Sequence, residues 1–322
     1  AVSLSAAKLA ARLNGMKEYE YFASLYGERR PTLLPIPMLN VLNGGKHVEN
    51  GLDGLDIQEF MIMPVGAPTF SEAMRWGSEI YHMLGSIVNA VGVGDEGGYS
   101  IASFQSTSGV ERTKEALELL VGAIEKAGYK PGKDVALTID AAASEFYKDG
   151  AYHLAGGESL TSEDMVAFYR DLIAHYPIVS LEDGMSEHDP VGWKKLTDAL
   201  GSSTQLVLDD LVVTNPKLYY ERGIVLGVGN AILIKPNQIG TLTQTLDVMR
   251  MAHQIGNATV VSHRSGETLD VTIAHLAVGT RAGQIKTGAP TRSERTAKYN
   301  ELLRIEHELG PKAEFGKNAS FL

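Results

Sequence analysis

The sequence predicts an α/β protein whose strands close into a β/α barrel. Three observations carry this prediction. Eight short apolar runs are spread along the 322 residues, helical patterns separate most of them, and ionisable residues recur at the run ends. The runs lie at 37–42, 56–63, 134–140, 178–182, 205–209, 231–235, 259–263 and 283–286. Most are too continuously apolar for strands wetted on one face, and they read as buried parallel strands. A doubly wound open sheet is the alternative. Nothing in the chain is read as a dinucleotide-binding turn, and no Walker A sequence occurs.

The helical stretches follow in order. Residues 3–13 read as a helix ahead of the barrel, which makes 1–34 a lead-in segment and 35–322 the barrel domain. In 112–127, Leu117, Leu120, Val121 and Ile124 fall at helical spacing, and Gly128 supplies a stop. Thr161 and Asp164 have the spacing of a capping box opening a helix at 163–174. A further helix runs over 242–255 to Gly256, and the last over 293–309 to Gly310-Pro311.

Composition narrows the function classes. A 44% hydrophobic content is enough for one large core or two ordinary ones, and 34 glycines suit many short strand–helix connections. The formal net charge is −10 and no Lys/Arg-rich run occurs, so nucleic acid is not an expected partner. An acidic protein can still take an anionic substrate where cations or metal ions line one cleft. There are no cysteines, which excludes disulfide and thiolate chemistry. No apolar run reaches the roughly 20 residues of a membrane span, and no signal peptide is visible. A cytoplasmic location is therefore expected.

The polar residues concentrate at run ends. Glu59 lies within the second run, while Asp140, Glu182, Asp209, Lys235, His263 and Lys286 end later ones. In a barrel those ends meet at one face, where loops build the active site. A single such residue is usually a helix cap or a loop ion pair, but a succession at one face would be costly to bury without a ligand. Asp140, Glu182 and Asp209 form an acidic set, with Asp183 and Asp210 as adjacent alternatives. All-oxygen ligands suit Mg²⁺, and no His or Cys is grouped with them to suggest zinc. Lys235, His263, Arg264 and Lys286 form a cationic set. It reads either as an anion grip with a base or as ion pairs to the acids. Two Gly-rich loops, Gly94-Asp-Glu-Gly-Gly98 around Glu96 and Asn43-Gly-Gly-Lys-His47, allow close backbone approach to a ligand.

In combination these residues resemble enolase. Pro35-Ile-Pro-Met-Leu-Asn-Val-Leu-Asn-Gly-Gly45, Asp56-Ile-Gln-Glu-Phe-Met61, Gly94-Asp-Glu-Gly-Gly98 and Ala143-Ser-Glu-Phe-Tyr147 follow in the family's order. So do Ser180-Leu-Glu-Asp183, Asp209-Asp-Leu211, Val213-Thr-Asn215, Lys235-Pro-Asn-Gln-Ile-Gly240, Ser262-His-Arg-Ser-Gly-Glu267 and Gly283-Gln-Ile-Lys-Thr-Gly288. The resemblance implies an enolase-type TIM-like β/α barrel whose first elements depart from strict alternation. It implies a glycolytic hydro-lyase that interconverts 2-phosphoglycerate and phosphoenolpyruvate. It also implies a homo-oligomer, a dimer or higher. Asp140, Glu182 and Asp209 would hold Mg²⁺, Lys235 would be the base and Glu96 the acid. Glu59 would assist at the leaving hydroxyl. His47, Glu59, Glu182, Asp209, His263, Arg264, Ser265 and Lys286 would surround the substrate. Lys235 should then be pushed toward its neutral form and Glu96 toward its protonated one.

Some features depart from the family. A typical enolase has an amino-terminal α+β domain that supplies a mobile second-metal loop, and no residue here receives that role. The loop at 48–54 is longer than usual. Tyr99-Ser-Ile-Ala-Ser-Phe104 replaces a familiar Ala-Pro continuation, Leu208 replaces a small residue, and Leu269 replaces an acidic one. The expectation is a barrel that binds one Mg²⁺ and turns over weakly. Another superfamily lyase and a non-catalytic barrel are the competing readings.

Overall fold

The structure, a computed structural model, describes residues 1–45, 54–101 and 103–316. Eight strands form the barrel: β1 (Ile36–Asn43), β2 (Glu59–Met63), β3 (Ala136–Asp140), β4 (Ile178–Glu182), β5 (Gln205–Leu208), β6 (Ala231–Ile234), β7 (Ala258–Ser262) and β8 (Gly283–Lys286). Each pairs with the next, and β8 pairs with β1 to close the ring. All eight apolar runs of the sequence become barrel strands, because continuous apolar runs can be buried on both faces only inside such layers. His47 and the loop at 48–53 lie outside the described residues.

One strand runs the other way. β2 is antiparallel to both β1 and β3, while the remaining pairs are parallel. A parallel return needs a long crossover, whereas antiparallel strands can be joined directly. Reversal changes which end of β2 matters. Its first residue, Glu59, lies at the face where the other strands finish, in register with Asp140, which is in turn in register with Glu182.

The outer helices are α1 (Val2–Leu13), α2 (Glu18–Tyr26), α3 (Phe70–Ile87), α4 (Gly109–Lys126), α5 (Ser162–His175), α6 (Pro190–Leu200), α7 (Leu242–Gln254), α8 (Thr272–Gly279) and α9 (Ser293–Leu309). The Thr161–Asp164 capping box opens α5 as its spacing predicts. α2 sits directly on α8. A Cβ at Gly279 would come within 2.7 Å of the Tyr19 carbonyl, so only glycine allows that approach.

Smaller strand pairings add to the barrel. A hairpin, Ala90–Val93 with Tyr99–Ile101, joins β1 through Leu42 and Tyr99 and carries the 94–98 loop to the barrel mouth. Gly92, Gly94 and Gly97 in fact have the spacing of a dinucleotide-binding turn. Here they belong to an antiparallel hairpin, so no helix N-terminus is offered to a pyrophosphate. At the opposite side of the chain's path, Leu33–Leu34 pairs in parallel with Glu314–Phe315.

The barrel strands also bury a polar cluster. The Gln205 amide donates to Gln284 Oε1 at 2.9 Å and to Ser180 Oγ at 2.9 Å, and Gln284 donates back to Gln205 Oε1 at 2.7 Å. Both amides are buried, so removing one leaves the other with lost partners. Gln284→Leu should cost about 1–3 kcal/mol in urea unfolding, and the Gln205→Leu/Gln284→Leu double variant should recover part of it. Simple additivity of the two losses would contradict the reciprocal bond.

Candidate active site

The strand ends converge as the sequence implies, with one adjustment. Asp140, Glu182 and Lys286 are last residues of β3, β4 and β8, while Asp209, Lys235 and His263 fall one residue beyond β5, β6 and β7. Most of them line a polar cavity of about 250 Å³ together with Glu59, Glu96, Arg264 and Ser265. Glu182 itself lies just beneath that lining, bonded to Lys286. Of the residues given a role in the sequence, only His47 falls outside the described residues.

Lys286 is the hub. Its ammonium donates to Asp140 Oδ2 and Glu182 Oε1, both at 2.8 Å, and lies 3.3 Å from Glu59 Oε1. Four ionisable groups this close and this buried must set one another's charge. Burial and the nearby Glu96 push the Glu59 carboxyl well above its ordinary value. Burial and Asp140 do the same to Glu182. Burial alone would raise Asp140, but Lys286 overrides it and holds that carboxylate below its usual value. Burial opposes the charge on Lys286, yet Asp140, Glu182 and Glu59 keep it well above an ordinary lysine.

Lys235 forms a second pair, with Asp209. Burial disfavours its charge, but Asp209 and Glu182 more than offset this and raise it above the ordinary lysine value. This corrects the expectation of a lysine pushed toward neutrality. In this arrangement the Asp209 carboxylate faces the amine directly, so it holds Lys235 as an ammonium.

Glu96 sits on the other flank. Asn40 donates to its Oε2 at 3.1 Å, Ser265 Oγ lies 3.3 Å from Oε1, and His263 Nε2 is 3.2 Å from Oε1. The loop that carries it is bound on several sides. Tyr81 donates to the Gly97 carbonyl at 2.7 Å, Arg292 to the Gly94 carbonyl at 3.0 Å, and Ala289 N–H to the Glu96 carbonyl at 2.9 Å. A Cβ at Gly98 would meet Asn43 Oδ1 at 2.7 Å, which is why glycine stands there. Arg264 is half-buried at the rim, with Nη1 3.3 Å from Asn237 Oδ1.

Two residues that shape the site have no assigned role in the sequence reading. Asn40 reaches Glu96 from the middle of β1, and Arg295 reaches His263 from α9. Asp183, an alternative ligand in the sequence reading, has a structural part as well. It takes a left-handed backbone, φ +43°, and accepts the backbone N–H groups of Asp209 and Asp210 at 3.0 and 2.9 Å. Its carboxylate therefore shapes the β5 loop. Among the described residues, Asp183, Asp209 and Asp210 are also a trio that can place one oxygen each within 4.8 Å of the others.

The donor set fits a hard cation. All candidate ligands are oxygens, and Glu182 Oε2 is buried with no hydrogen-bond partner among the described residues. A cation held by Asp140, Glu182 and Asp209 would satisfy it. The Asp183 oxygens, by contrast, already receive two backbone N–H groups, which favours the set that includes Glu182.

Fold and site together define a β/α-barrel protein with paired acid and amine groups at a cation-competent centre. The family model described as "Enolase, C-terminal TIM barrel domain" matches residues 31–321, and the chain belongs to that family. Such a domain places the chain among enolase-superfamily lyases and related enzymes. Among the described residues, no helix is long and apolar enough to cross a membrane.

Lys286→Met would leave Asp140, Glu182 and Glu59 without their shared cation. It should cost about 3–5 kcal/mol in urea unfolding at neutral pH with chelator present. A loss within about 0.5 kcal/mol, the scale of an ordinary surface change, would show that the carboxylates do not depend on it.

Proposed function

We propose that the chain is a phosphopyruvate hydratase acting on 2-phosphoglycerate and phosphoenolpyruvate in cytoplasmic glycolysis, with residues 35–322 as its catalytic unit. The observation that carries this reading is one polar cavity lined by both Lys235 and Glu96, with Lys286 and buried carboxylates also at it. A dehydration next to a carboxylate needs those parts: a base for the proton, an acid for the hydroxyl, and positive charge for the carboxylate between them.

Lys235 takes the proton from the carbon beside the substrate carboxylate. To do so it must first give up the proton that Asp209 now stabilises, so Asp209 must be engaged elsewhere in the working form. Removal of the substrate proton places further negative charge on the carboxylate. Lys286, set between Asp140 and Glu182, holds an ammonium toward that charge. Mg²⁺, held by Asp140, Glu182 and Asp209, would supply additional neutralisation of the same charge, and a lysine base working with such ions is established chemistry of this superfamily. Glu96 gives its proton to the departing hydroxyl, which leaves as water, and Glu59 assists on that side. Arg264 grips the phosphate, for which a planar guanidinium is suited, and Ser265 and His47 belong with the residues that surround the substrate.

Three outcomes are expected. With Mg²⁺ the protein should form phosphoenolpyruvate from 2-phosphoglycerate, and a folded protein that forms none would sink the reading. Lys235→Ala should abolish solvent exchange of the substrate's C2 hydrogen, whereas Glu96→Gln should retain some exchange while losing dehydration. The same exchange defect in both would contradict the division of labour. Mg²⁺ should also raise the unfolding temperature by linkage, and Asp209→Ala should greatly weaken that response.

A further inference from the structure

We infer that Arg295 is a positioning residue, whose guanidinium fixes His263 as the neutral imidazole with its single hydrogen on Nε2, facing Glu96. Its value to catalysis rests on the acid role proposed for Glu96; the tautomer does not depend on that role.

Arg295 belongs to the first turn of α9 and is 1% exposed. Its four short contacts are to neutral acceptors. Nη1 donates to His263 Nδ1 at 2.7 Å and to the Arg264 carbonyl at 2.6 Å. Nη2 donates to the Asp95 carbonyl at 3.1 Å and to the Ser265 carbonyl at 2.5 Å. Glu294 Oε1 lies 3.8 Å from Nε, too far to be a hydrogen bond. The guanidinium thus ties the loop after β7 to the loop that carries Glu96. A permanently charged group buried this deeply, and spent on carbonyls and one ring nitrogen, is not explained by ion pairing.

The donor inventory then decides the imidazole. A guanidinium has five N–H donors and no acceptor, so the nitrogen facing it must present a lone pair. That nitrogen is Nδ1. A neutral ring carries its one hydrogen on the other nitrogen, Nε2, which lies 3.2 Å from Glu96 Oε1. An imidazolium would point an N–H at the guanidinium and place two cations in contact.

The charged groups around the ring are Glu96 from the 94–98 loop, Arg295 from α9 and Lys286 from β8. Burial and the two cations oppose a charged ring, while Glu96 favours one, and the net effect holds His263 below the ordinary histidine value. The ring is therefore neutral, with Nε2 directed at Glu96 Oε1 but outside hydrogen-bond geometry in this arrangement. With Asn40 on the other oxygen, it meets the carboxylate that remains after Glu96 has given up its proton.

The second buried cation of α9 braces the same loop farther along. Lys298 donates to Glu267 Oε2 and to the Glu294 carbonyl, both at 2.6 Å, and to the Thr268 carbonyl. A purely structural staple would make Arg295 dispensable to the tautomer, so the test reads the ring itself.

The experiment is a long-range ¹H–¹⁵N correlation on the full chain labelled at histidine. His263 is assigned by its loss in His263→Gln. The wild-type ring should show a bare Nδ1 and a protonated Nε2 from about pH 8 to about pH 5, the window in which an ordinary histidine changes charge. Arg295→Met, or the milder Arg295→Gln, should let Nδ1 become protonated as the pH falls. Either variant should also depress dehydration more than C2-hydrogen exchange. A wild-type Nδ1 that is protonated or titrates in this window would overturn the inference without need of any variant. A folded variant whose His263 signals match the wild type throughout would remove Arg295 from the role. Absence of turnover in the wild type would count against the proposed reaction and leave the tautomer standing.

Discussion

Everything at the barrel mouth depends on one constraint: buried carboxylates must face positive charge. Glu59, Asp140 and Glu182 come from three adjacent strands and all meet the ammonium of Lys286 from β8. An isolated carboxylate so placed would neutralise itself by taking a proton. The three acids show the partial form of this response. Asp140 stays ionised against Lys286, while Glu59 and Glu182 are pushed toward protonation. One ammonium is too little for three acids. A hard cation would supply the missing charge, which is the physical argument for proposing a metal at the acidic set. The reversed strand serves the same constraint. An antiparallel β2 delivers Glu59 to the site from its first residue, beside Asp140 in register.

A second level of organisation lies outside the ring of strands. The acid loop and the loop after β7 carry Glu96, His263, Arg264 and Ser265, and neither is fixed by sheet hydrogen bonds alone. α9 supplies that fixation through Arg295 and Lys298, three residues apart on its buried side. Residues at i and i+3 share a helix face, so one helix can hold both loops with two side chains. The site is thus assembled from rigid strand ends below and braced loops above, an arrangement suited to donors that must not reorganise during reaction.

Much of this was legible in the residues. The strands announced themselves because most are short apolar runs ending in an ionisable residue, and buried strands leave no alternation to confuse them. The cap at Thr161 was readable because its chemistry is local. The helices at Phe70–Ile87, Pro190–Leu200 and Thr272–Gly279 were not assigned. In α8 nearly every residue is buried, so it has no polar face to set a helical period. The direction of β2 is set by the chain's path and not by its own residues. Asn40 and Arg295 were missed as contributors for a related reason: each acts through a partner far away in sequence. The signal that could have pointed to Arg295 is a charged residue on the inward stripe of a terminal helix, beside Lys298 and apart from the solvent-facing charges. The charge on Lys235 follows its partner: it is an ammonium while Asp209 faces it, and a cation on Asp209 would remove that support.

The most direct test of the charge-balance account is where a cation binds. Mn²⁺ can replace Mg²⁺ at oxygen sites, and its anomalous scattering marks its position in a crystal. The account places the density within bonding reach of Asp140, Glu182 and Asp209, with the Asp209 contact to Lys235 loosened. Density on Asp183, Asp209 and Asp210 without Glu182, or none at the barrel mouth at saturating Mn²⁺, would contradict it.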